Sequence, residues 1–422
     1  MKKLLSLLLA LTLLVTVCAC GGNSDNAAGN SSGTAANTPA APAEPPASSD
    51  TAPGDTAAPE AVDIILTHLT GLAPDETVVT VGDVEIPAQI YFYWLNYNFS
   101  TIEYQVLLYA GYGMYPELLD EFGNVNWDAT LDGSQPLVEG IRAQTESTIA
   151  FYAAIDALAA EHGITLDSDT LAAVQAEQDN LRAQLGNEEN FQAYLKVMGV
   201  TEDGLIRIGS TSGLYDALLN AVITEGSPLY QDPAAYDGMA TYADHILLAT
   251  IDLATGEALT EDQIAAKRAT AEDLLAQLRA SDDPLTLFSQ LADEYTEDTG
   301  HATNPTGYIY TPGTMVAPFE DAASALEPGQ FSDIVESDYG FHIILRRDLQ
   351  EGLAADEEQL KTLADTHLSE LLLAKMQTMP ISYSDKMDAV NLAEYYSSCT
   401  AALESFQSAF EASQGGEQSA EQ

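Results

Sequence analysis

Hydrophobic positions along the chain fall into three regimes. Leu4 to Val17 is a mostly apolar run, without charged residues, behind Met1-Lys2-Lys3. Residues 21 to about 74 are mostly Ala, Pro, Ser, Thr, Gly and Asn, with almost no clustered branched or aromatic side chains. From Thr77 onward apolar residues return with recognisable periods. Alternating valines in Thr77-Val78-Val79-Thr80-Val81, a Gly82-Asp83 turn and Val84-Glu85-Ile86 predict a small β-hairpin. Pro87 then opens a helix carrying Tyr91, Phe92, Tyr93, Trp94, Tyr97 and Phe99. Helical spacing predicts further helices at about 136–163, 168–185, 188–198 and 202–224, with Gly163 and Gly199 as stops.

The second half reads as strand, helix, helix, short helix, strand. Ala243–Ala249 is a short apolar strand, Thr260 caps a helix to about Ala280, and Pro284–Tyr295 forms a second helix. Pro318–Ala325 predicts a short helix, and Ile343-Ile344-Leu345-Arg346 closes as a buried strand. Beyond it, Ala355–Met379 reads as one amphipathic helix with His367 as a structural residue near its apolar face. A tyrosine-rich helical stretch follows over 381–412, and residues 413–422 read as a frayed, disordered tail.

At 422 residues, two or three domains are expected. Acidic residues outnumber basic ones 65 to 14, a net charge of -51. Such a field repels phosphate backbones, so no nucleic-acid partner is expected, and membrane contact requires an anchor. Leu4–Val17 is too short to span a bilayer but suits a signal-peptide core. It ends in Val17-Cys18-Ala19-Cys20-Gly21-Gly22, which resembles the lipobox of bacterial lipoproteins. Residues 1–19 are then the signal peptide, Cys20 the lipidated residue, and 20–74 a disordered tether reaching about 40 Å. The alternative is a plain secretory signal with an incidental cysteine. Cys399 stands alone, which leaves no internal disulfide and makes it an apolar packing residue. Asp120–Asp128 lacks the alternate-position ligands and final glutamate of an EF-hand, so neither metal nor cofactor is expected.

Two histidines in matching strand contexts bracket the central segment: Asp244-His245-Ile246-Leu247 and Gly340-Phe341-His342-Ile343-Ile344. Between them lie Phe288-x-x-Leu291-Ala292, Tyr295-Thr296-Glu297-Asp298, Met315-x-x-Pro318-Phe319-Glu320-Asp321-Ala322 and Leu326-x-Pro328-Gly329. In this order the segments resemble a parvulin-type peptidyl-prolyl isomerase domain, over about a quarter of the chain (240–348). The resemblance implies that His245, Asp298 and His342 form the catalytic network. It further implies a proline socket of Met315 and Phe319, with Thr306 and Phe341 also among the substrate-binding residues. For the histidines the alternative is that they hold strand ends together without assisting rotation. For Met315 and Phe319 it is ordinary core packing. His301 reads as an exposed loop residue.

Roughly residues 77–225, within an expected domain of 75–235, resemble more loosely the N-terminal chaperone domain of PrsA- and SurA-type foldases, through the Val81-Gly82-Asp83 hairpin, Glu161-His162-Gly163-Ile164-Thr165-Leu166 and Met198-Gly199-Val200-Thr201-Glu202. The C-terminal helices, 353–412, would return to pack on that domain. The aromatics from Tyr91 to Tyr115 read either as core or as the wall of a client groove. The expected whole is an α+β protein: a parvulin domain with a small antiparallel sheet, joined to a mainly helical chaperone domain. It would be lipid-anchored on the extracytoplasmic face of a Gram-positive-type bacterium and would isomerise X-Pro bonds in unfolded exported polypeptides; monomer and dimer stay open. Thr306 stands where parvulins carry a socket leucine, in Asn304-Pro305-Thr306-Gly307-Tyr308. That departure supports a second reading, a parvulin-like binding module without useful turnover. The basic cluster of phosphate-reading parvulins is absent, since Leu248 and Ala249 follow the first histidine.

Overall fold

The computed structural model describes residues 65–130, 133 and 135–420, with side chains as far as 412. The signal segment 1–19, Cys20 and the tether up to residue 64 lie outside the described residues. The chain divides into two compact units. Among the described residues, one comprises those from 65 to Ala150, Asp167–Gly213 and those from Pro380 onward; the other comprises Phe151–Leu166 and Leu214–Met379.

In chain order, α1 (Ile65–Thr70) precedes the hairpin strands β1 (Thr77–Val81) and β2 (Val84–Pro87). Helices α2 (Ala88–Gly111), α3 (Leu137–His162), α4 (Ser168–Gln184), α5 (Glu188–Met198) and α6 (Glu202–Ile223) follow. Then come β3 (Thr241–Ala249), α7 (Glu261–Ala280), α8 (Pro284–Tyr295), β4 (Tyr308–Tyr310), α9 (Ala317–Ser324), β5 (Val335–Ser337) and β6 (Gly340–Arg346). Helices α10 (Leu349–Ala355) and α11 (Glu357–Gln377), strand β7 (Ile381–Tyr383) and α12 (Leu392–Ala420) complete the chain. No helix among the described residues is long and apolar enough to cross a membrane.

The first unit holds a three-stranded antiparallel sheet, β2-β1-β7, and the opening turns of α2. Tyr91, Phe92, Trp94, Leu95 and Phe99 are all buried, so this part of the aromatic cluster is core. Helix starts are set by side chains that satisfy free amides: Asp167 accepts from Thr170 N at 2.7 Å and Asn187 from Asn190 N at 2.8 Å. Gly199 ends α5 at φ 71°, a left-handed cap that a side chain would strain. Cys399 is buried, and burial pushes its thiol up. The Asp120 carboxylate accepts from the backbone of Phe122 and Asn124, both at 2.9 Å.

Four segments differ from the sequence expectation. Helix α1 lies in the stretch assigned to the tether, because Leu66 and Leu72 are fully buried. Strand β7 replaces the first turn of the expected 381–412 helix. It exists through its pairing with β1, Val79↔Tyr383 and Val81↔Ile381, and Pro380 ahead of it cannot continue a helix. Helix α12 runs to Ala420, into the 413–422 tail, with no proline to stop it. The single helix expected over 355–379 is also preceded by a separate one, since Asp356 caps α11 through Gln359 N at 3.1 Å.

The second unit contains a four-stranded antiparallel sheet in the order β4-β3-β6-β5 with helices around it, an α+β arrangement. Strand alternation sorts its side chains onto two faces. Ile246, Leu248, Phe341, Ile343 and Leu345 pack with α7 and α8 through Leu274, Leu278, Phe288 and Leu291. Ala243 and Ile344 point the other way, against Tyr310, Phe319 and Ala323. A further apolar cluster joins the last turns of α3 and α6 to α10 and α11, with Tyr236, Leu368 and Leu372 fully or almost fully buried. On the α8 face Asp244 is buried but paired, its Oδ2 2.5 Å from the Arg347 guanidinium. That pairing offsets the cost of desolvating the charge.

Candidate active site

The two histidines come together because of strand register. β3 and β6 pair with His245 opposite Ile344 and Leu247 opposite His342. The histidines are therefore diagonal neighbours on one face, and their ring centroids lie 5.2 Å apart. The exchange of β3 and β6 is pressed close at Gly340, where a Cβ would stand 2.3 Å from Leu248 O.

Asp298 reaches this pair through the segment that follows α8. Thr296 Oγ1 accepts from Leu247 N at 3.1 Å, Glu297 N donates to Leu247 O at 2.8 Å, and Glu297 Oε2 accepts from Ala249 N at 2.7 Å. Residues 296–297 thus occupy the β3 edge that β4 leaves open, and the next residue falls beside His245. Asp298 Oδ2 is 3.0 Å from His245 Nε2 and accepts from the Tyr308 hydroxyl at 2.6 Å; Oδ1 accepts from Gly300 N at 3.0 Å. The hydrogen bond from His245 holds the Asp298 carboxyl well below the ordinary range, against burial, with Tyr308 and Gly300 adding to it. An ionised carboxylate only accepts, so His245 carries its proton on Nε2.

His342 is buried, and burial first, then the neighbouring His245, lowers its imidazole to about 4. It is neutral at pH 7. Its Nε2 lies 2.7 Å from Ser337 Oγ, and Tyr339 N donates to that oxygen at 3.1 Å. The Nδ1 atoms of both histidines are buried without a hydrogen-bond partner. Tyr308 is pushed well above the ordinary phenol, by burial first and then by the adjacent carboxylate.

An apolar wall stands over the histidines. The Phe319 ring centroid is 5.2 Å from that of His245 and 5.8 Å from that of His342, and 5.9 Å from that of Tyr310. Met315 and Val316 pack into the same cluster, half-buried. The Glu320 carboxylate ties down the loop that carries Met315, accepting from Met315 N at 2.8 Å and Gly313 N at 3.0 Å.

Of the residues singled out from sequence, His245, His342, Asp298, Met315 and Phe319 lie together. Phe341 does not. Next to His342 on the same strand, it must point to the opposite face, where it is buried against α7 and α8 with the Arg268 guanidinium 5.3 Å from its ring centroid. Thr306 is exposed in the turn before β4 and takes no part in the apolar cluster. His301 is not an exposed loop residue: its side chain is largely buried and Nε2 lies 3.0 Å from Asp293. Tyr308 and Ser337 complete the network without having been picked out for it. A hydroxyl two residues from Thr306 carries no sequence signal of its own, whereas Phe341 could have been excluded by strand parity.

Residues 245–348 match the family model of the rotamase, or PPIC-type PPIase, domain. Among curated proteins, the foldase protein PrsA of Halalkalibacterium halodurans is 28% identical over 216 residues, 49% of this chain and 61% of that one. The foldase protein PrsA of a Geobacillus species is 39% identical over 111 residues, 26% of this chain and 38% of that one. The chain thus spans less than two thirds of the length of these relatives. A crystal structure of the peptidylprolyl isomerase PrsA from Bacillus cereus aligns over 59% of this chain and 84% of its own at 24% identity, with a TM-score of 0.24. Residues 245–348 are therefore a PPIC-type, parvulin-class peptidyl-prolyl isomerase domain, on a chain that is similar to PrsA foldases over part of its length.

Proposed function

We propose that this chain is an extracytoplasmic, membrane-anchored foldase that turns X-Pro peptide bonds in unfolded exported polypeptides. The observation that carries this reading is the apolar wall of Phe319 and Met315 directly above the paired rings of half-buried His245 and buried His342. Rotating an X-Pro amide means passing a twisted state about 18–20 kcal/mol high, in which resonance is lost and no bond is broken. A site for that step needs a dry socket for the pyrrolidine ring and an environment that favours the twisted amide over the planar one.

Phe319 and Met315 would supply the socket. His245, held in one tautomer by Asp298, and neutral His342, held by Ser337, would form a fixed polar floor beneath the twisted amide. With Nε2–H of His245 on Asp298, its Nδ1 is an acceptor. If the Ser337 hydroxyl donates to His342 Nε2, the His342 proton sits on Nδ1, and the two inward nitrogens are complementary. Tyr308 is a positioning residue, acting through Asp298.

Cys20 would carry the lipid and residues 21–64 would serve as part of the tether. The helical first unit would hold unfolded segments. The clients would be proline-containing chains emerging from export. A second reading, a binding module of little turnover, draws on the exposure of Thr306 and the turning away of Phe341, which leave the socket with fewer walls than expected.

A protease-coupled proline-peptide assay separates the two. The first predicts turnover that falls sharply in His342→Ala and Met315→Ala. Turnover unchanged by both substitutions removes the site. No turnover in the parent protein, with aggregation suppression intact, selects the second reading. Lipid labelling that disappears in Cys20→Ser tests the anchor.

A further inference from the structure

Helix α2 changes character along its length. Up to Phe99 it is core, but its later turns bury only Val106, against Leu118 and Val125. The outward positions there are apolar too: Tyr104, Leu107, Leu108 and Tyr109 are all exposed. Tyr104, Leu108 and Tyr112 recur at four-residue steps and so form one stripe. Past the helix end the chain doubles back, with Met114 N donating to Tyr109 O at 3.0 Å and the Tyr109 and Tyr115 rings meeting edge to face at 6.4 Å. Tyr112 is 74% exposed and Phe122, on the next turn, 81%. An apolar surface of this extent on a soluble unit marks a place where something binds.

Its electrostatic setting says what. No lysine or arginine occurs between Lys3 and Arg142, whereas Glu117, Asp120, Glu121 and Asp128 flank the exposed aromatics in sequence. All four are acids on the segment that carries the patch, and Glu117 and Glu121 are exposed. A second copy of a chain with net charge -51 would bring two anionic surfaces together, and an anionic bilayer would be repelled in the same way. An apolar segment bearing lysine or arginine meets both requirements at once.

We propose that the exposed face of α2 from Tyr104 to Tyr112, with Tyr115 and Phe122, is a docking site for apolar, cationic segments of unfolded polypeptide. It rests on the foldase reading only in taking an unfolded chain as the occupant. The site selects basic hydrophobic stretches, through aromatic contact for affinity and acidic flanks for encounter and orientation. It lies in the first unit, apart in sequence from the isomerase domain.

The test uses the full chain and fluorescently labelled peptides of one length: a Leu/Lys peptide, its Lys→Glu counterpart and its Leu→Ser counterpart. The Leu/Lys peptide binds, its affinity falls with added salt, and both counterparts bind at least about tenfold more weakly. A Leu108→Ser/Tyr112→Ser variant loses about tenfold for the Leu/Lys peptide, and Glu117→Lys/Glu121→Lys weakens binding and flattens its salt dependence. Turnover of a short proline peptide is unchanged in both variants, while His342→Ala leaves peptide binding intact, so the two readings fail separately. Equal binding of the Lys and Glu peptides, or undiminished binding by Leu108→Ser/Tyr112→Ser, overturns the proposal. So does a dimer in sedimentation that Tyr112→Ser dissolves, which assigns the face to a second copy. Adsorption to zwitterionic vesicles that the same substitution abolishes assigns it to a lipid surface and equally overturns it.

Discussion

Tyr308 and His245 converge on a single oxygen, Oδ2 of Asp298, the phenol from 2.6 Å and the imidazole from 3.0 Å. The carboxylate is thereby a two-sided clamp, and its loss of either donor has a different consequence. Tyr308→Phe keeps the ring that packs in the cluster and removes one donor, at a cost to stability of about 1 kcal/mol. Asp298 then rises toward its ordinary range. A carboxyl depressed in the folded state stabilises above the unfolded value, about 3.9, and that contribution is lost as pH falls through the folded one. The variant should therefore lose activity at higher pH than the parent on acidification, with a modest loss near neutrality. A pH–rate profile of the two proteins checks it; coincident acid limbs would show that Tyr308 does not act through Asp298.

His342 provides a second pH signature. Its imidazole is lowered from 6.5 to about 4 by burial, so between those values the unfolded chain takes up a proton that the folded one does not. Stability is intact above pH 6.5 and declines as pH falls toward 4, by up to about 3 kcal/mol from this group. His342→Gln should flatten that decline. Denaturant midpoints at several pH values in this window are the measurement, and parallel slopes in parent and variant would refute the assignment.

Met315 and Phe319 should behave differently on truncation. Phe319 is buried, so Phe319→Ala costs about 3–5 kcal/mol and confounds activity with folding. Met315 is half-buried at the rim. Met315→Ala should cost about 1–2 kcal/mol or less, yet reduce kcat/KM for a proline peptide by about tenfold or more. A loss of activity no larger than the stability change accounts for would argue that Met315 is packing alone.

Gly307 is where the turn before β4 approaches β3 most closely. Its φ is +97°, and a Cβ there would lie 2.3 Å from Ala243 O. Gly307→Ala should lower the melting temperature by several degrees, consistent with about 2 kcal/mol or more, because rigid backbone cannot yield as a side chain would. It should also impair turnover, since Tyr308 is the next residue. Normal stability in this variant would mean the turn relaxes freely.

What could be read from residues alone was whatever depends on local period. The strands around His245 and His342, the helices between them and the return of Asp298 to the first histidine all follow from apolar spacing and from landmarks in family order. Phe341 adjoins His342 in sequence, but strand parity turns it to the other face of the sheet, away from the socket. Tyr308 escaped notice because a phenol near a carboxylate leaves no trace in spacing. Ile381-Ser382-Tyr383 could not be identified as a strand, since three residues with two exposed ones have no period; only β1 makes them one. Helix α1 was hidden by composition, its few leucines averaged into a stretch of small polar residues.

The pairing of Val79 with Tyr383 has a bearing on how the chain comes to be folded. Two strands of one sheet are separated by roughly three hundred residues, among which the whole isomerase domain is formed by contacts of much shorter range. Closing so long a loop is slow relative to local helix and hairpin formation. As the chain is made from its N-terminus, the sheet around β3 and β6 can assemble while β1 still waits for its last neighbour. The isomerase would thus be finished before the unit that holds β1, and the segment from Pro380 onward, with β7 and α12, sets the moment at which that unit is complete.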